Sequence, residues 1–290
     1  MTRMLVGLIG ANIGQSLSPA LHEDAFAAIG MVGHYHLMDV DTLPGRRLED
    51  LLAAARTAGF AGVNVTFPFK EAVIPLLDEV ATEAAEIGAV NTVVIDRAGR
   101  TTGHNTDRSG FRAAFIEAFG ADAVRGRTVL QLGAGGAGRA VAFALRDLGV
   151  SRLRLYDRDT TRARNLCADL GRDCEVLEAP EPAAPSVAGI VNATPIGMTG
   201  HPGLPTTADV VQPHQLVADV IYTPLETDFV VAEKARGART MGGAGMCVHQ
   251  AVRAFELFSG QSADIERMHR TFLAAAARRT KQGDPTCRPA

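Results

Sequence analysis

The chain reads as two successive runs of alternating strand and helix patterns. An apolar stretch over Met4–Ile9 predicts a buried strand, and Ser18-Pro19 then opens a helix whose apolar positions include Leu21, Ala25, Phe26 and Ile29. A serine hydroxyl that can cap free N–H groups, followed by a proline whose fixed φ suits the first turn, is the signal for that start. A strand over His34–Val40, a helix over Leu48–Thr57 and a strand over Val63–Val65 follow, the last stopped by Pro68. Two short helical pieces, Lys70–Asp78 and Thr82–Ile87, lead to paired strands at Asn91–Asp96 and Thr101–His104 around a turn at Arg97–Arg100.

A helix from about Ser109 to Phe119 carries the chain into the second run, which is organised around VLQLGAGGAG, Val129–Gly138. Here an apolar strand ends in Gly133, Ala134, Gly135, Gly136, Ala137 and Gly138. The apolar stripe Val141, Phe143, Ala144, Leu145 and Leu148 then marks a helix. Strand, glycine turn and helix in this order form a dinucleotide-binding pattern. The first glycine permits the turn, the second clears space for a pyrophosphate, and the third lets the helix pack on the strand. Leu153, Leu155 and Tyr156 predict the next strand, which Asp157 ends at about the 20-residue distance where such folds place the acid that bonds ribose hydroxyls. Beyond it come a helix with Ala163, Leu166, Cys167 and Leu170 on one face, and a proline-containing loop at Glu178–Ser186. Two central-strand runs, Gly189–Asn192 and Leu216–Val220, and a helix at Cys247–Phe258 follow. Thr280–Ala290 is expected to be a disordered tail.

Composition narrows the class. At 290 residues the chain can hold two α/β domains, and 47% hydrophobic with 21% charged residues is an ordinary globular balance. A net charge of −3 gives no electrostatic reason to expect a nucleic-acid partner. Met4–Leu21 is uncharged, but its glycines and polar residues deny it the length of a membrane span. The four cysteines, Cys167, Cys174, Cys247 and Cys287, show no metal-ligand spacing and suggest no disulfide framework, so a reducing, cytoplasmic setting without a metal is expected. His22 and His104 are expected to be exposed or hydrogen-bonded rather than catalytic.

Polar segments fall at the predicted strand ends: Ser16-Leu17-Ser18, NVTFPFK at Asn64–Lys70, AVNT at Ala89–Thr92 and GHNTD at Gly103–Asp107. In an open α/β sheet those ends face the ligand crevice, and this set of hydroxyls, amides, one lysine and one aspartate suits a polyhydroxylated carboxylate. Taken with GAGGAG, NATPIGM and Gly242–Ala251, these motifs resemble, in their order, those of the shikimate dehydrogenase family, and most closely its quinate/shikimate dehydrogenase branch. The resemblance runs from about Leu8 to about Phe258.

It implies an α/β enzyme of two domains: residues 1–108, a substrate domain completed by 243–290, and residues 109–242, a Rossmann-type, doubly wound nucleotide-binding domain. It implies reversible oxidation of a ring hydroxyl of shikimate or quinate to 3-dehydroshikimate or 3-dehydroquinate. By resemblance, Lys70 and Asp107 match the catalytic pair and Ser16 and Ser18 match the positions that hold the substrate carboxylate. Thr66, Asn91 and Gln250 match positions that bind ring hydroxyls, and Tyr222 matches a substrate-site tyrosine. Asn64 and Asn105 are candidates for turn-structuring roles instead. Asn192, Thr194, Gly243 and Met246 match the nicotinamide side. NADP-using members often carry Asn-Arg-Thr where this chain has Asp157-Arg158-Asp159. An anionic Asp157 favours NAD, whereas Arg158 suits a 2′-phosphate or stacks on adenine, so NADP stays possible. The alternatives are an NADP-dependent biosynthetic shikimate dehydrogenase, an aminoshikimate-type dehydrogenase, and a non-catalytic dinucleotide-binding regulator. A monomer or homodimer is expected.

Overall fold

The computed structural model describes residues 3–281 except 172, 208 and 209. The chain divides into two units. One comprises the residues through Thr106 together with those from Gln250 into the last helix; the other is Asp107–His249. Of the tail expected from Thr280, everything beyond Lys281 lies outside the described residues.

The first unit contains β1 (Arg3–Gly10), α1 (Ser18–Ala28), β2 (Val32–Asp39), α2 (Leu48–Thr57), β3 (Gly62–Val65), β4 (Glu79–Val80), α3 (Thr82–Ile87), β5 (Thr92–Ile95) and β6 (Thr101–His104). Its sheet runs β2-β1-β3-β5-β6-β4. The pairs made across α1 and α2 are parallel, as crossover helices require, whereas β3–β5 and β5–β6 are antiparallel. The β5–β6 hairpin closes on Asp96, whose Oδ1 accepts the N–H groups of Ala98 and Arg100, both at 2.8 Å. α2 buries Leu48, Leu51, Leu52 and Ala55, a spacing that lays one stripe against Ile9, Val63, Val65 and Val93. The helical piece expected over Lys70–Asp78 is instead a turn and a single 3-10 turn, Ile74–Leu76, because Pro75 donates no backbone hydrogen bond.

α4 (Thr106–Phe119) starts three residues earlier than the apolar pattern suggests. The second unit continues with β7 (Thr128–Leu132), α5 (Gly136–Asp147), β8 (Arg152–Tyr156), α6 (Thr160–Leu170), β9 (Cys174–Val176), β10 (Gly189–Asn192), β11 (Leu216–Asp219), α7 (Asp228–Ala235) and β12 (Arg239–Met241). The sheet is parallel throughout, in the order β12-β11-β10-β7-β8-β9. This is the doubly wound Rossmann arrangement, in which the order reverses between β7 and β10 and a crevice opens at their carboxyl ends. Cys167 and Cys174 form a disulfide with their Cα atoms 5.1 Å apart. The cysteine spacing suggests none; β9 lies beside α6, a proximity that no motif encodes, and a bonded pair gives no support for a reducing setting.

α8 (Ala244–Ser259) and α9 (Ile265–Lys281) end the described chain. In the first unit Phe255 packs on Phe26 with ring centroids 5.0 Å apart, and α9 buries Met268, Phe272 and Ala276. Asp24 of α1 anchors α9 through two bonds from Arg267, each 2.8 Å, and one from Thr271 at 2.9 Å. Those bonds hold the Asp24 carboxyl below the usual carboxylate range. No helix among the described residues is long and apolar enough to cross a membrane.

Candidate functional site

In the first unit the polar motifs collect at one edge of the sheet: the carboxyl ends of β1, β3 and β6 and the start of β5. The loop after β1 is built by Asp39, whose carboxylate accepts the N–H groups of Asn12 and Ile13 at 3.1 and 2.9 Å. It delivers Ser16, half-buried, whose Oγ accepts the Ser18 N–H at 3.2 Å. Ser18 is the first residue of α1 rather than its cap; Leu17 precedes the helix and offers no side-chain acceptor, so the capping read from Ser18-Pro19 falls to Ser16. Thr66 follows β3, its N–H bonded to Ile9 O at 3.0 Å, and its methyl occupies the space a side chain at Gly10 would need. Lys70, half-buried, gives its carbonyl to the Val90 N–H at 2.8 Å, which ties the NVTFPFK loop to AVNT.

A buried amide network organises this edge. Tyr35 Oη donates to Asn64 Oδ1 at 2.8 Å, and Asn64 Nδ2 donates to Asn91 O at 3.2 Å and Thr92 Oγ1 at 2.9 Å. Asn91 Oδ1 accepts from the Thr106 N–H at 2.8 Å, while Asn91 Nδ2 lies 3.0 Å from Thr106 Oγ1. Thr106 Oγ1 in turn meets Gln250 Oε1 at 3.4 Å. Asn105 donates to Ala89 O at 2.9 Å. Ser16, Ser18, Thr66, Lys70, Asn91 and Gln250 therefore share the first unit, and Tyr35, Asp39 and Thr106 are structural partners that the motifs did not single out. His22 differs from the exposed or bonded role expected of it. It is buried, stacked on Tyr35 at 4.8 Å with Nδ1 unpartnered among the described residues, and burial pushes its pKa down to about 3. His104 bonds Glu83 at 3.2 Å.

In the second unit Asp107 is buried in the first turn of α4. The glycine turn lies at the β7–β10 reversal. Gly133 has φ +100°, and a β-carbon there would stand 2.6 Å from Ala193 O. A β-carbon at Gly138 would collide with the Gly133 carbonyl, whereas one at Gly135 would meet nothing. α5 starts from Gly135 with no side-chain cap, so its first-turn N–H groups suit an anionic group at that open position. Asp157 closes the other side: its Oδ2 accepts the Ala134 N–H at 2.7 Å and its Oδ1 the Asp159 N–H at 2.8 Å. Arg158 is exposed, and Asp159 caps α6 through the N–H groups of Thr161 and Arg162. Gly133 to Gly138 with Asp157 thus fit a dinucleotide's pyrophosphate and adenosine ribose.

The Asn192 side chain is bonded by the turn after β10 and by the neighbouring strand β11. Its Oδ1 accepts from the Thr194 N–H and hydroxyl at 3.0 and 2.7 Å, and its Nδ2 donates to Ile196 O and Asp219 Oδ1 at 3.2 and 3.1 Å. Asp219, which the sequence did not flag, also accepts from the Ile221 N–H and the Thr227 hydroxyl. Burial raises its carboxyl pKa against those bonds. Gly243 packs directly on the Val220 and Ile221 carbonyls, Met246 is buried on α8, and Tyr222 is exposed after β11. Among the described residues no cluster of potential metal ligands occurs.

Residues 8–93 match the shikimate dehydrogenase substrate binding domain and residues 243–271 the shikimate 5′-dehydrogenase C-terminal domain. The chain is 46% identical over 280 residues to a quinate/shikimate dehydrogenase (NAD(+)) of Corynebacterium efficiens, spanning 93% of this chain and 98% of the relative. It is also 46% identical over 273 residues to a shikimate dehydrogenase (NADP(+)) of Streptomyces avermitilis, spanning 91% and 93%. The solved quinate dehydrogenase from Corynebacterium glutamicum in complex with NAD superposes with a TM-score of 0.90 at 42% identity, over 94% of this chain and all of that one. With identity of this level across nearly the whole of both chains, the protein belongs to the shikimate dehydrogenase family.

Proposed function

We propose that the protein is an NAD-dependent quinate/shikimate dehydrogenase that reversibly oxidises a ring hydroxyl to 3-dehydroshikimate or 3-dehydroquinate. The observation that carries the cofactor preference is Asp157, whose carboxylate is held against the glycine turn by the Ala134 N–H. There it accepts hydrogen bonds from a ribose diol and repels a 2′-phosphate. The 46% identity to an NAD(+) relative supports the same choice.

Oxidation of a secondary alcohol removes a hydride from carbon and a proton from oxygen. NAD, when bound, supplies the hydride acceptor; the protein must hold the ring and take the proton. We assign the proton transfer to Lys70, with Asp107 as the second member of the catalytic pair. A group in this role must come within about 2.6–3.2 Å of the reacting hydroxyl. Ser16 and Ser18 grip the substrate carboxylate near the start of α1, where the helix dipole favours an anion. Thr66, Asn91 and Gln250 bond ring hydroxyls, with Tyr222 as the substrate-site tyrosine. The internal bonds of Asn91 fix its amide in place, which suits it to orienting a ring. Gly133 to Gly138, Asp157 and Arg158 hold the dinucleotide, and Thr194, Gly243 and Met246 line its nicotinamide side. Asn192 acts there through the loop it shapes. The reading includes residues 1–108 with 243–290 as substrate domain and 109–242 as nucleotide domain, a monomer or homodimer, and a cytoplasmic location.

The test is kcat/KM for quinate and shikimate, each with NAD and with NADP. A preference for NAD with either acid supports the proposal, a clear NADP preference replaces it with the biosynthetic alternative, and no turnover in any combination favours a non-catalytic regulator.

A further inference from the structure

Gln131 sits one residue from the end of β7, the strand on which the glycine turn is built, between Leu130 and Leu132. It is fully buried. A polar side chain inside a central parallel strand needs a reason, because such strands are ordinarily apolar on both faces. The amide Nε2 donates to Gly133 O and to Gly138 O, both at 2.8 Å. One carbonyl stands at the entry to the turn, the other in the first turn of α5. The amide oxygen, Oε1, has no hydrogen-bond partner among the described residues. The two donated bonds stabilise the turn while the unpaired acceptor offsets part of that gain, so the residue serves the shape of the turn more than the stability of the strand.

The two clamped carbonyls bracket the closest approach in the turn, where Gly133 O lies against the Cα of Gly138. Both face a fully buried amide and are therefore turned into the protein. A carbonyl rotated outward would present negative charge to a pyrophosphate; one held inward leaves the turn's N–H groups as the atoms an anion meets. We propose that Gln131 is a positioning residue for dinucleotide binding, clamping the carbonyls of Gly133 and Gly138 so that the turn offers donors to the pyrophosphate. The proposal rests on the dinucleotide-binding reading above.

The experiment is calorimetric titration of wild type and Gln131→Met with NAD, ADP-ribose and adenosine, together with steady-state KM for the acid substrate. Methionine occupies similar space and donates no hydrogen bond. The expected result is a rise of about tenfold in Kd for NAD and for ADP-ribose, the size of one net hydrogen bond. Adenosine, which lacks the pyrophosphate, and the KM of quinate or shikimate should not change. Equal losses for adenosine and ADP-ribose, or an unchanged Kd for ADP-ribose, overturn the proposal. If the methionine variant does not fold, Gln131→Leu gives the same readout, since leucine is an ordinary residue of a buried parallel strand and donates no hydrogen bond. If wild type binds NADP and not NAD, the cofactor reading fails while the Gln131 comparison runs unchanged on NADP, whose pyrophosphate is identical.

Discussion

His22 makes the acid stability of the first unit measurable at a single residue. Its ring is 1% exposed, stacked on Tyr35 at an interplanar angle of 24° and flanked by Phe255 and Phe258. Burial lowers its pKa from 6.5 to about 3. Between those values the unfolded chain binds a proton that the folded chain refuses, so stability is lost as the pH falls below the unfolded pKa and goes on falling until the folded one. Each pH unit in that window is worth ~1.4 kcal/mol, so at pH 5 the fold is weaker by ~2 kcal/mol on this account alone. His22→Phe keeps an aromatic ring against Tyr35 and removes the titration. Urea unfolding of both proteins from about pH 7.5 to about pH 4.5 isolates the effect, because Asp24, whose lowered pKa also costs stability in acid, is common to both. The expected outcome is that the variant gains ~2 kcal/mol on the wild type between neutral pH and pH 5. Parallel pH profiles would refute the reasoning and mean that His22 is protonated within the fold.

Two further substitutions probe the glycine turn. Gly138→Ala drives a β-carbon onto the Gly133 carbonyl, a backbone atom that cannot swing aside, and should cost ~1–3 kcal/mol in unfolding measurements while weakening NAD binding. Asp157→Asn removes the charge beside the ribose; the ratio of kcat/KM for NADP to that for NAD should rise about ten- to a hundredfold, or ~1.4–2.7 kcal/mol.

The nucleotide unit was the more legible half of the sequence. A parallel sheet buries its strands on both faces, so β10 and β11 announce themselves as apolar runs and β7 nearly so, while β8 alternates Leu153 and Leu155 with arginines; Gly133 and Gly138 are dictated by contacts with the Ala193 and Gly133 carbonyls that leave no room for a side chain. β4 and β9 are two and three residues long, too short for any periodicity, and exist only because neighbouring strands offer free edges. α9 is charged over much of its length and buries a narrow line of Met268, Phe272 and Ala276, in which alanine barely registers as apolar. At the candidate site the motif residues themselves were visible, but their partners were not. Asn91 meets Thr106 only because β5 and β6 pair antiparallel and α4 begins where β6 ends, and Asp219 meets Asn192 only through the β10–β11 register. Polar bonds of this kind join residues distant in sequence, and Tyr35, which makes one of them with Asn64, looks like an ordinary core position in a linear reading.

The most direct measurement is steady-state reduction of NAD by the purified protein with shikimate and with quinate, run beside Lys70→Ala. A positioned acid/base group contributes about 10²- to 10⁴-fold, so the variant should lose that factor in kcat with a smaller change in KM. Near-normal turnover by the pure variant would remove Lys70 from the chemistry, and the assignment of the proton transfer would be wrong.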